Sequence, residues 1–73
     1  MDLKGIGLTI KERRSTLGVT QRTVSELSGV AINTLVAIER GEGNPNITTL
    51  LDVLDTIGLQ LDVNPKRMEY ETV

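Results

Sequence analysis

The sequence predicts an all-α domain, a bundle of four short helices, followed by one short C-terminal β-strand. Three observations carry this expectation. Turn signals recur at near-regular intervals: Gly18, Gly29, Gly41 and Gly43 with Pro45, Gly58, and Asn64-Pro65. Between them, apolar residues fall at helical spacing. After Gly58 the period drops to two, in Leu59-Gln60-Leu61-Asp62-Val63, the alternation of a half-buried strand.

The first helix is expected from about Asp2 to Leu17, with Leu3, Ile6, Ile10 and Leu17 on or near one face. Asp2 is its candidate N-cap, while Gly5 and Gly7 each cost about 1 kcal/mol of helicity. Thr20 opens a second helix through about Ser28, burying Val24 and Leu27. The Thr20 hydroxyl can accept a bond from an orphan backbone N–H, and Gly29 supplies a left-handed stop. A third helix runs from about Ile32 to Arg40, with Leu35 and Ile38 as its inward pair. Asn46 caps a fourth, in which Ile47, Leu50, Leu51, Leu54 and Ile57 follow the i, i+3, i+4, i+7 rule. Asp52 and Asp55 take its wet side, and Gly58 ends it. Asn46-Ile47-Thr48 matches a glycosylation sequon but reads as a helix cap. The strand over Leu59 to Val63 needs a partner for its backbone. Either a second copy of the chain or a hairpin with Met68–Thr72 could supply it. The chain therefore divides at residue 58, into a helical domain (1–58) and a C-terminal strand and tail (59–73).

Composition excludes most chemistry. Seventy-three residues allow one small domain with a thin core. Cysteine is absent, so no disulfide supports it, and histidine is absent, which removes the commonest metal ligand and the usual general base. No Asp/Glu run has calcium-loop spacing. Gly41-Glu42-Gly43 lacks the Lys-Ser/Thr of a phosphate-binding loop. No catalytic residue, metal or cofactor is expected, so the protein reads as a binder and not an enzyme. No apolar run approaches the ~20 residues of a membrane span, and the charged start (Asp2, Lys4) lacks the apolar segment of a signal peptide. A soluble cytoplasmic protein is the expectation.

The net charge of −2 argues at first against nucleic acid. Its distribution argues otherwise. Residues 1–40 hold six bases and four acids, whereas residues 41–73 hold two bases and six acids. One end suits phosphate and the other does not.

The spacing of the second and third helices is the informative feature. They join across Ser28-Gly29-Val30, with glycine at the bend and an apolar residue after it, as in a helix-turn-helix. Ile10-Lys11-Glu12-Arg13-Arg14, Gly18-Val19-Thr20-Gln21, Leu27-Ser28-Gly29-Val30, Ile38-Glu39-Arg40-Gly41, Asn44-Pro45 and Leu50 closely resemble the Cro/CI-type (XRE-like) helix-turn-helix family. The resemblance covers about residues 6–58. It implies a lambda-repressor-like bundle that binds a double-stranded DNA operator and has no cofactor. It also implies a structural ion pair between Arg14 and Glu39. Their positions agree, since each sits a turn from apolar residues and a half-buried charge needs a partner.

Thr20, Gln21 and Arg22, at the start of the second helix, are candidate backbone contacts, and the resemblance implies that role for Gln21. There an amide and helix-end N–H groups can meet one phosphate. Arg22 can equally be a solvated surface arginine. The third helix should offer Ala31, Ile32, Asn33, Thr34 and Ala37 to base edges. Asn33 is its sole bidentate reader, suited to adenine, and Ile32 and Ala37 can touch thymine methyls. Arg40 and Asn44 would flank the groove beside the backbone, although Glu42 brings the wrong charge there. Leu59, Leu61 and Val63 are the expected dimer contact. The strand after the fourth helix is similar to that of the HipB-like antitoxin branch, which implies a kinase-like toxin as a further partner. The chain thus reads as a homodimeric repressor, acting in the cytoplasm and on the nucleoid when DNA-bound. The rival is a protein-interaction module on the same fold, favoured by the acidic balance and the apolar third helix.

Overall fold

The computed structural model describes residues 2–66. Four helices hold the regular structure of this region: α1 (Leu3–Leu17), α2 (Gln21–Ser28), α3 (Ile32–Glu39) and α4 (Ile47–Thr56). Three start at side-chain caps. Asp2 accepts from the Gly5 amide at 2.7 Å, Thr20 from Thr23 at 3.1 Å and Asn46 from Thr49 at 2.8 Å. Each oxygen satisfies one of the donors that a helix start leaves orphaned. No side chain caps α3, which Ala31 precedes.

The helices close on one core of Ile10, Val24, Val30, Leu35, Ile38, Leu50, Val53, Leu54 and Ile57. α1 lies on α3, and α2 lies on both α3 and α4. Arg13 ties α1 to the end of α4, its Nε donating to the Ile57 carbonyl at 2.9 Å. A cation there also complements the negative end of the helix dipole. No helix among the described residues is long and apolar enough to cross a membrane.

Several expected core positions are displaced. Leu27 is 72% exposed. The inward face of α2 carries Gln21, Val24, Ser25 and Ser28, and its serines stitch the turn. Ser25 Oγ donates to the Val30 carbonyl at 2.6 Å, and the Val30 amide donates to Ser28 Oγ at 3.2 Å. Small polar residues therefore took the place where an apolar one was expected. Ile47 and Leu51 are exposed on α4, whose buried stripe is Leu50, Val53, Leu54 and Ile57, and Val53 is fully buried. Leu3 and Leu17 lie at the exposed ends of α1, leaving Ile10 as its buried anchor and Ile6 half-buried.

The expected strand is absent among the described residues: 59–66 has no regular structure. Gly58 (φ 73°) ends α4 in a left-handed turn, and the Leu59 amide bonds back to the Leu54 carbonyl at 2.9 Å. Leu59 and Leu61 then lie against the core of their own chain, while Val63 is 91% exposed. The alternation thus marks Leu59 and Leu61 as inward and fails at Val63, without strand pairing among the described residues. The proposed hairpin partner, 68–72, lies outside the described residues.

Gly7 has a function that its helix propensity hid. A Cβ there would collide with the Ile38 carbonyl oxygen and sit 2.8 Å from that of Glu39. The missing side chain lets α1 cross directly on the backbone of α3. Gly7→Ala would gain about 1 kcal/mol of helix propensity, against an overpacking cost of about 1–3 kcal/mol or more where backbone must move. The clash is with backbone, which puts the cost at the upper end, so the expected outcome is a net loss of about 2 kcal/mol in urea melts. A variant as stable as the parent would mean the crossing is loose.

Candidate nucleic-acid interface

Glu39 is the charged residue buried under this interface, its side chain only 3% exposed. It sits on the inward face of α3 beside Leu35 and Ile38. Arg14 of α1 meets it with two parallel bonds, Nε to Oε2 at 2.8 Å and Nη2 to Oε1 at 3.0 Å. The remaining Arg14 nitrogen, Nη1, donates to the Val19 carbonyl in the α1–α2 link at 3.0 Å. The expected pair is present and bidentate, the geometry in which guanidinium and carboxylate bind most strongly. The hydrogen bond to Glu39 raises the Arg14 pKa above its ordinary value, against the opposing effect of burial. A base whose pKa is raised in the fold contributes its stability at every pH below the unfolded value. It loses that contribution only as pH climbs through the folded value, so the arginine side of the pair does not titrate near neutrality.

Gln21 joins the same carboxylate: its Nε2 donates to Glu39 Oε1 at 3.2 Å. Sequence alone gave it only a phosphate contact, and the structure adds an anchor. The bond holds the start of α2 against the end of α3. Thr20 spends its hydroxyl on the α2 cap, accepting from the Thr23 amide and donating to Thr23 Oγ1 at 3.0 Å. Arg22 points outward and is exposed.

With Leu35, Ile38 and Glu39 buried, the other side of α3 faces solvent. Ala31, Ile32, Asn33 and Thr34 are all exposed, and Ala37 is half-buried at the margin. Asn33, Thr34 and Ala37 share a shallow concavity with Glu42, Gly43, Asn44 and Pro45 of the α3–α4 loop. The structure thus brings Asn33, Thr34 and Ala37 together with Asn44, while Ala31 and Ile32 do not line this concavity. Arg40 is exposed and faces Glu42 at 4.0 Å, the outer limit of an ion pair. The first amides of α3 have no side-chain cap, so they stay available to an acceptor outside the chain.

Two short helices at a tight turn, the second with an open outer face and a locked inner one, form the arrangement that a helix-turn-helix family model matches over residues 10–64. The chain belongs to the Cro/CI-type (XRE-like) helix-turn-helix family. A curated relative from Haemophilus influenzae, named an uncharacterized HTH-type transcriptional regulator, is 38% identical over 56 residues. The match covers 77% of this chain and 57% of that relative, so the chain spans little more than half of the relative's length. Neither match singles out the HipB-like branch. In this helix-turn-helix, α2 is the first helix and α3 the second.

The buried pair yields a direct test. Glu39→Ala would orphan the Arg14 guanidinium and cost roughly 3–5 kcal/mol, as when one partner of a buried pair is removed. Arg14→Met combined with Glu39→Leu should recover much of the loss, because an apolar replacement leaves no unpaired charge. Denaturant melts of the single and double variants check this. A single-variant loss under about 1 kcal/mol would class the pair with exposed ones.

Proposed function

We propose that this chain is a DNA-binding transcriptional repressor that acts as a homodimer in the cytoplasm and catalyses no reaction. The observation that carries the reading is the outer face of α3: an uncapped helix start followed by exposed Ile32, Asn33 and Thr34. A recognition helix presents its N-terminal residues to base edges in the major groove in this way. In this reading Asn33 bonds adenine, Thr34 bonds a neighbouring base, and Ala31, Ile32 and Ala37 touch thymine methyls. Thr20, Gln21 and Arg22 meet one stretch of backbone, while Arg40 and Asn44 meet another. The relative's description as a transcriptional regulator supports the same class. The strand that suggested the antitoxin branch and its toxin partner is absent among the described residues.

Asn33→Ala is expected to weaken binding by ~1–3 kcal/mol on duplexes selected by the parent chain, the magnitude of one bidentate base contact. Binding to random duplex should be unchanged. Equal losses on both would assign Asn33 to the backbone. Failure of the parent chain to bind any duplex would favour the protein-docking reading.

The dimer contact is proposed through Leu59, Leu61 and Val63. Leu59 and Leu61 border an apolar groove of about 470 Å³ with Ile6 and Leu54, beside exposed Leu51. A two-fold pair can cover such a face with its own counterpart. Leu61→Lys should give monomers in sedimentation velocity with the helical circular-dichroism signal retained. A variant that stays dimeric at micromolar concentration would move the interface elsewhere.

A further inference from the structure

We propose that Lys4, at the start of α1, is a DNA-backbone contact that works with Arg40 as a phosphate clamp beside the end of α3. The inference rests on the DNA-binding reading above and adds to it a residue from another element. Lys4 and Arg40 lie far apart in sequence, and the fold sets Lys4 against Gly41, the residue that follows Arg40. A Cβ on Gly41 would lie 2.6 Å from Lys4 Cα and 2.7 Å from Lys4 Cγ. Gly41 also has a φ of 70°, so both its conformation and the contact demand glycine. The backbone and aliphatic stem of Lys4 thus rest on the residue next to Arg40. A stem supported in this way directs its ammonium outward at less entropic cost than a free lysine.

The charges nearby favour an anionic partner. Lys4 is exposed, and among the described residues no carboxylate lies within ion-pair distance of it. The nearest acid in sequence, Asp2, is committed to the α1 cap. Arg40 has only Glu42, at 4.0 Å with both side chains largely exposed. Arg40 and Glu42 alone would leave this corner neutral, which is a poor phosphate site. Lys4 adds a second base there, and the acid nearest it in sequence, Asp2, turns its carboxylate to the Gly5 amide. Glu42 also lines the concavity that holds Asn33 and Thr34, so the corner borders the proposed reading face. Two bases that lack a committed acid, on the rim of that face, suit a phosphate oxygen.

The test uses the full chain and a random-sequence duplex of about 24 base pairs, because the contact carries no sequence information. Affinity is measured from 50 to 200 mM KCl. Each phosphate neutralised adds about 0.9 to the log–log salt slope. Lys4→Gln should therefore lower the slope by about 0.9 per bound chain, making affinity three- to fourfold less salt-sensitive over this range. Arg40→Gln should do the same, and Lys4→Arg should keep the parent slope. Lys66→Gln, the same charge change in the acidic half, should also leave it alone. A parent chain with a steep slope that Lys4→Gln does not alter would overturn the inference while leaving DNA binding intact. A slope lowered equally by Lys66→Gln would overturn it too, by reducing the effect to net charge. Absence of duplex binding by the parent chain would overturn the DNA-binding reading itself, and this inference with it.

Discussion

The orientation of α3 depends on one carboxylate. Glu39 takes both bonds of an arginine from α1 and one from the amide of Gln21 on α2, and Arg14 reaches on to the link between those helices. Three helices are thereby indexed to a single buried point. Desolvating the two charges is costly, and apolar replacements of similar volume often match or exceed the stability of such pairs. What the pair adds is direction. A purely apolar contact would tolerate rotation of α3 about its axis. A two-toothed guanidinium–carboxylate contact does so far less, because rotation breaks both bonds together. With the inner face locked, the residues on the outer face are set: Ile32, Asn33 and Thr34 point away from the core because Leu35, Ile38 and Glu39 cannot.

Much of this was legible in the residues. Helix boundaries followed from caps and turn glycines, signals that are local and need no tertiary knowledge. Asp2, Thr20, Asn46 and Gly58 all act as their residue types suggest. The Arg14–Glu39 pair was legible through the family resemblance, and the positions agreed with it, since a half-buried charge needs a partner. The misreadings share one cause: a pattern reports the chemistry of a face, not the neighbour it meets. Leu27 is the more apolar choice on α2, yet Ser25 and Ser28 hold the inward side because Val30 needs hydrogen bonds at the turn. Gly7 counts only as a defect in a lone helix, and its value appears when the α3 backbone is laid across it. In 59–63, alternation cannot distinguish a paired strand from an irregular segment that turns alternate side chains onto a core. The bond from Gln21 to Glu39 was not legible, because nothing local says that a carboxylate lies beneath it.

The size of the reading face sets a limit on how this helix-turn-helix can work. On the DNA-binding reading, α3 offers one amide, one hydroxyl and a few apolar contacts. A good bidentate pair discriminates by about 1–3 kcal/mol, whereas specific proteins exceed their own non-specific binding by about 4–10 kcal/mol. One chain with Asn33 alone falls short of that range. Two chains on a two-fold site double the direct contribution to about 2–6 kcal/mol, which reaches only its lower part. The remainder has to come from sequence-dependent duplex shape, sensed by the contacts that fix the helix in register. On that reading the proposed backbone contacts at the two ends of the motif share in specificity, although they touch no base. The start of α2 is tied to Glu39 through Gln21, and the Gly41 corner is pressed against α1. Both sets of contacts are therefore spaced by the rigid core. A duplex that cannot adopt the matching phosphate spacing loses contacts at one end or the other, and in this way a face with few polar readers can still discriminate.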